Sequence, residues 1–287
     1  MRLGGRRESD NVEDRRGMSP RAAMGGGGLG VLAIALIAMF FGADQKMVMR
    51  LLGGGKNRAA QQAGPAPGKD DAARKFIGQV LGTTEDVWSD IFRQRMRAEY
   101  RKPKLVIFSD KVSTACGGAS SAVGPFYCPA DQQIYIDPTF FDDLASRHNA
   151  SGDFAQAYVI AHEVAHHIQN LLTWNDKVNQ ARRSGDKRET NQQSVRLELQ
   201  ADFLAGVWAH HAHKEWSLLE EGDIEEGINA AYQIGDDVLQ KQATGMVRPE
   251  HFTHGTAKQR VRWFTAGLQS GDVAEAEKLL QISYGDL

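Results

Sequence analysis

Phe154-Ala155-Gln156-Ala157-Tyr158-Val159-Ile160-Ala161-His162-Glu163-Val164-Ala165-His166-His167-Ile168-Gln169-Asn170-Leu171-Leu172 is the stretch on which the reading turns. Its apolar residues recur at helical spacing and run around much of the helix girth, which predicts a buried helix. Within it, His162 and His166 stand at i and i+4, stacked on one face, so that both imidazoles reach a single ion. Glu163 lies one residue on, beside the ion, where a general base takes a proton from metal-bound water. The bland alternative is a helix with two exposed or core-satisfied histidines. The apolar flanks weigh against it, because unpaired imidazoles and a carboxylate are costly in a buried place and a metal ion removes that cost.

A second predicted helix, from Ser194 to about Ala212, carries Arg196-Leu197-Glu198-Leu199-Gln200-Ala201-Asp202-Phe203-Leu204-Ala205. Glu198 and Asp202 share a face at i and i+4, among Leu197, Ala201, Ala205 and Trp208. A catalytic zinc takes three protein ligands and keeps one position for water. Glu198 supplies the third donor, and Asp202, one turn on, is placed to accept the outer ring N–H of a ligating histidine. The competing reading is an ordinary solvated acidic pair.

Around these helices the pattern predicts an α+β domain that is mostly helix with one small antiparallel sheet. Amphipathic stretches occupy 71–81 and 84–96, the second with Thr84 as N-cap. Leu105 to Phe108 reads as a buried strand, and 126–128 with 134–136 as a hairpin. Further helices are expected at 224–242, 256–268 and 273–281. Arg182 to Glu189 reads as a charged surface loop.

Ahead of the domain, Met24 to Ala43 carries no charge and centres on the apolar run Leu29 to Phe41. That is about the length of one transmembrane helix. A cleavable signal peptide is the competitor, and Phe41 before Ala43 suits a cleavage site poorly. Arg2, Arg6, Arg7, Arg15, Arg16 and Arg21 precede the run, and Lys46, Arg50, Lys56 and Arg58 follow it. The positive-inside rule then places the N-terminus in the cytoplasm and the domain outside the inner membrane. The expected organisation is a charged cytoplasmic tail at 1–23, solvated and disordered, an anchor at 24–43, a Gly/Ala/Pro-rich linker at 44–72 and a metal-binding domain at 73–287.

The formal net charge of −2 excludes a non-specific nucleic-acid binder, which needs a surplus of cations. Cys116 and Cys128 are the two cysteines, too few for a structural zinc site by themselves. They either close a disulfide in an oxidising compartment or stay as two unrelated thiols, and the expected topology favours the disulfide. His210, His211 and His213 read as a solvated helix end and His167 as structural. His254, in Phe252-Thr253-His254-Gly255-Thr256, is the candidate donor to an oxyanion, against a plain structural role; Tyr135 and Arg260 are weaker candidates.

The H-E-x-x-H helix followed by Glu198-x-x-x-Asp202 resembles the gluzincin arrangement of thermolysin-like peptidases. More closely, the chain resembles the bacterial family of membrane-anchored neutral zinc metallopeptidases. The motifs that carry this resemblance are the charged tail Arg6 to Arg16, Ala115-Cys116-Gly117, Gly124 to Pro129, Ile134-Tyr135-Ile136-Asp137, Glu198 to Asp202 and Thr253-His254-Gly255. The resemblance implies a gluzincin-like fold and one zinc ion held by His162, His166 and Glu198. It also implies Glu163 as the base, Asp202 as the partner of His162, and a protein or peptide substrate. The segment Ala115 to Asp137, just before the zinc helix, is the expected edge on which an extended substrate adds as a strand. The rival functions are a non-catalytic zinc-stabilised envelope scaffold and a zinc hydrolase of a non-peptide amide such as a cell-wall bond.

Overall fold

The computed structural model describes residues 1–17 and 71–287. The expected anchor 24–43 and nearly all of the linker fall outside the described residues. Among the described residues no helix is long and apolar enough to cross a membrane.

The expected α+β architecture is present. A four-stranded sheet runs β1 (Val12–Asp14), β2 (Lys104–Ile107), β6 (Gln133–Ile136), β5 (Phe126–Cys128) in spatial order. β1 and β6 both pair with β2 in parallel, and only β5 is antiparallel, to β6. The sheet is therefore mixed, where an antiparallel one was expected. A separate hairpin joins β3 (Lys111–Thr114) to β4 (Gly117–Ser120). The helices are α1 (Ala72–Ile91), α2 (Thr139–Arg147), α3 (Asp153–Leu171), α4 (Asp176–Ser184), α5 (Lys187–Trp216), α6 (Asp223–Gln233), α7 (Asp236–Thr244), α8 (Ala257–Ser270) and α9 (Ala274–Lys278).

Local chemistry sets several boundaries differently from the sequence expectation. The two amphipathic stretches at 71–96 are one helix, capped by the Asp71 carboxylate on the Arg74 N–H, with a π-helical turn at Phe92–Met96. Thr84 is no cap: it lies buried in mid-helix and its hydroxyl donates back to the Leu81 carbonyl, as threonine does when no orphan N–H is within reach. The helix expected over 224–242 breaks at Gly235, where a Cβ would stand 2.3 Å from the Ala257 nitrogen. Arg182 to Glu189 is not a loop but the end of α4, a turn with Gly185 in the left-handed region, and the capped start of α5.

The largest correction concerns the N-terminus. Residues 1–17, expected as a solvated and disordered tail, belong to the domain. β1 lies in register with β2, pairing Val12 with Leu105 and Asp14 with Ile107. Leu3 enters the core, and the Met1 ammonium meets the carboxylates of Asp153 and Asp223.

α3 and α5 carry the decisive motifs, and α8 packs along α5. Two glycines bring α5 and α8 together. A Cβ on Gly206 would sit 2.2 Å from the Phe264 carbonyl oxygen, and one on Gly267 would sit 1.9 Å from that of Phe203. Only glycine allows such backbone contact. The close approach sets Arg260, two turns before Gly267, against Asp202, one turn before Gly206.

Candidate metal centre and cleft

α3 presents His162, Glu163 and His166 to a cleft of about 590 Å³, and α5 presents Glu198 opposite them. The His162 Nε2 lies 3.1 Å from Glu198 Oε2, and the His166 Nε2 lies 3.6 Å from Glu198 Oε1. Ligand atoms about 2.0–2.1 Å from a tetrahedral zinc stand about 3.3 Å apart. The donors are therefore set for one ion of that size. Among the described residues no further His, Cys, Asp or Glu joins this cluster, so it offers three protein donors. Glu163 stands outside the ligand set although adjacent to it in sequence.

Both candidate histidine ligands are held from behind. His162 Nδ1–H donates to Asp202 Oδ1 at 2.8 Å. The same carboxylate accepts from Arg260 through Nε at 2.8 Å and Nη2 at 2.9 Å, and from the Tyr158 hydroxyl. Asp202 is fully buried, so the pair of charges and the tyrosine satisfy one another. His166 Nδ1–H donates to Gln169 Oε1 at 2.8 Å, and Gln169 Nε2 in turn donates to the Leu197 carbonyl and to Gln200. Both imidazoles thus point Nε2 at the metal position with their tautomers fixed.

The electrostatics follow from this packing. Burial alone would depress His162, but Asp202 and Glu198 raise its pKa to about 9 without metal. Burial would raise Asp202, yet Arg260 and His162 hold it at about 2. Glu198 is likewise pulled well below the usual carboxylate range by His166 and His254, against the burial penalty. Glu163 shifts the other way: burial raises it, and the neighbouring imidazoles offset only part of that. A carboxylate raised toward neutral pH is suited to accept and return a proton.

His254 also lines the cleft. Its Nδ1 contacts Asp236 Oδ1 at 3.1 Å, while Asp236 Oδ2 accepts from the backbone N–H groups of Thr253, His254 and Gly255 at 2.7, 2.7 and 3.0 Å. Asp236 therefore fixes both the loop and the ring. Burial lowers the His254 pKa, and Glu198 and Asp236 more than reverse this.

The remaining sequence candidates sort by position. Tyr135 stacks on Phe126 and donates to Asp131 at 2.8 Å, away from the cleft. Arg260 lines the cleft but is committed to Asp202. His167 accepts from Tyr127 and donates to the Arg101 carbonyl, and its burial lowers its pKa to about 4. His210 and His211 donate to the backbone carbonyls of Leu268 and Gly271, while His213 accepts from the Leu219 N–H. Cys116 and Cys128 form a disulfide, tying the turn between β3 and β4 to the end of β5. Sequence reasoning missed Gln169, Tyr158 and Asp236. A buried polar residue three positions after a ligand is a signal for Gln169, but Asp236 gives none, because it reaches the site from another helix.

The family model described as "putative neutral zinc metallopeptidase" matches residues 1–279. The chain belongs to that family. It is 48% identical over 286 residues to the uncharacterized protein YpfJ of Escherichia coli K12, covering 96% of this chain and 97% of that one. It is 42% identical over 212 residues to the uncharacterized protein Rv2575 of Mycobacterium tuberculosis H37Rv, covering 70% of each chain. No solved structure matches. The match begins at residue 1, so the N-terminal segment that adds β1 to the sheet lies within the family's pattern.

Proposed function

We propose that the protein is a zinc-dependent peptidase of gluzincin-like organisation. The observation that carries the reading is the donor set: His162, His166 and Glu198 at the spacing of one zinc ion, with Glu163 beside them as a buried carboxylate of raised pKa. Zinc held there would acidify a water molecule and polarise a substrate carbonyl. Glu163 takes the proton of the attacking water and returns it to the leaving amine. His254, oriented by Asp236, donates to the oxyanion of the tetrahedral intermediate. Asp202 and Gln169 keep the two ligand rings aimed.

An extended peptide is the substrate class that the cleft fits. β5 is an edge strand of the sheet among the described residues, and Phe126 and Tyr127 from it line the cleft together with His162 and Glu163. Apart from the Tyr127 backbone group that meets Glu163, its outer edge offers backbone groups to a bound strand, and the Cys116–Cys128 bridge stiffens that edge. Apolar side chains such as Phe140, Val159 and Leu239 line the rest of the cleft and suit apolar substrate residues.

The test is Glu163→Gln in the full chain. The variant should keep one zinc per chain by metal analysis and lose cleavage of a peptide library by at least about 100-fold. Full activity in the variant, or zinc lost together with activity, removes Glu163 from the role given to it.

A further inference from the structure

We propose that residues 1–17 and the domain 71–287 lie on the same side of any membrane the chain meets, so that no single crossing separates them. The claim rests on how the N-terminal segment is built into the domain. β1 supplies one neighbour of β2, whose Leu105, Val106 and Ile107 are fully buried. Glu85 on α1 is also fully buried, and it receives Arg7 Nη2 at 2.8 Å, the Ser9 hydroxyl at 2.6 Å and Asn11 Nδ2 at 2.6 Å. Without the segment, this carboxylate would keep, among the described residues, Lys102 as its one cationic neighbour, 3.6 Å away, and a buried charge stripped of its partners is strongly destabilising. The fit is also steric: a Cβ on Gly82 would stand 2.7 Å from the Arg7 carbonyl oxygen.

The two ends of the intervening stretch meet in the same place. Arg16 Nη1 lies 3.2 Å from Asp71 Oδ2, and Asp71 caps α1. A single crossing would hold those ends about 30 Å apart on opposite faces of the hydrocarbon, and the Arg16–Asp71 pair and the β1–β2 ladder could not form.

The experiment uses the full chain in cells, with Asp10→Cys and Gly4→Cys in the N-terminal segment and Gln269→Cys in α8 as separate variants. All three positions are exposed, and nothing lies within 4 Å of a Cβ at Gly4. A membrane-impermeant maleimide is applied before and after permeabilisation, with the parent chain as background. The expected result is one pattern for all three: labelled in intact cells, or labelled only after permeabilisation. Opposite patterns for the segment and α8 overturn the proposal. A second variant replaces 18–70 by a six-residue Gly/Ser bridge, about 20 Å in reach, and should fold with one cooperative thermal transition. A bridged chain that fails to fold overturns the proposal as well.

Discussion

Replacing Asp202 by Asn keeps the volume of a fully buried side chain and removes its charge. The carboxylate accepts four hydrogen bonds, from His162 Nδ1, the Tyr158 hydroxyl and two nitrogens of Arg260. An asparagine offers one accepting oxygen, so its amide nitrogen must face a donor on one side or the other. With the oxygen in the place of Oδ2 it keeps Arg260 Nε, and His162 loses the partner that fixes its tautomer; in the place of Oδ1 it keeps His162, but as a neutral and weaker acceptor. Loss of such a partner costs about 10–100-fold in metal affinity, or about 1.4–2.8 kcal/mol. The stranded guanidinium adds a separate cost to folding. Breaking a buried ion pair costs about 3–5 kcal/mol, and we expect the lower end, because Arg260 keeps its bonds to the Ile234 carbonyl and Tyr158. Zinc affinity would be read by competition with a chromophoric chelator, and stability by urea unfolding of the metal-free protein. Arg260→Met added to Asp202→Asn should restore most of the lost stability and, by freeing the amide oxygen for His162, part of the zinc affinity. A folded Asp202→Asn protein with unchanged zinc affinity would refute the role of Asp202 in aiming His162.

Four further outcomes follow from the site and its supports. His254→Phe should lower kcat by about 100- to 1,000-fold with KM and zinc content little changed; a loss confined to KM would make His254 a substrate contact instead. Because His162 titrates at about 9 without metal, zinc binding near pH 7.5 should release a proton from it, measurable by calorimetry in buffers of different ionisation enthalpy. The folded pKa lies above the ordinary 6.5, so the contribution of His162 to metal-free stability is complete below pH 6.5 and is lost as pH rises through about 9. A metal-free protein whose urea midpoint does not fall over that window speaks against the His162–Asp202 interaction. Cys116→Ser with Cys128→Ser should cost about 3 kcal/mol of stability, from the closure entropy of so short a loop, whose cysteines are 12 residues apart; equal urea midpoints for the two proteins would show that the bridge does not stabilise the fold.

The candidate metal ligands were legible because their geometry is written in local periodicity. His162 and His166 share a face through the i, i+4 spacing, and Glu198 and Asp202 do the same, whichever way the helices later pack. The strands at 104–107, 126–128 and 133–136 were legible for a similar reason, as short apolar runs between turns. α4 was not. Its sequence Asp-Lys-Val-Asn-Gln-Ala-Arg-Arg-Ser buries little beyond Val178 and Ala181, and so short a polar helix is stabilised by its neighbours more than by its own residues.

By itself, then, the sequence determined which side chains can meet on one helical face: two imidazoles with a base beside them, and two carboxylates one turn apart. The tertiary structure decided what lies across the gap. It set Arg260 behind Asp202 through the glycine contact of α5 with α8, put Asp236 behind His254, and turned a charged N-terminal segment into a strand of the sheet. These partners are far apart in the chain, so no spacing encodes them. They depend on backbone contacts, parallel pairing and the burial of single charges, which exist only once the elements have packed.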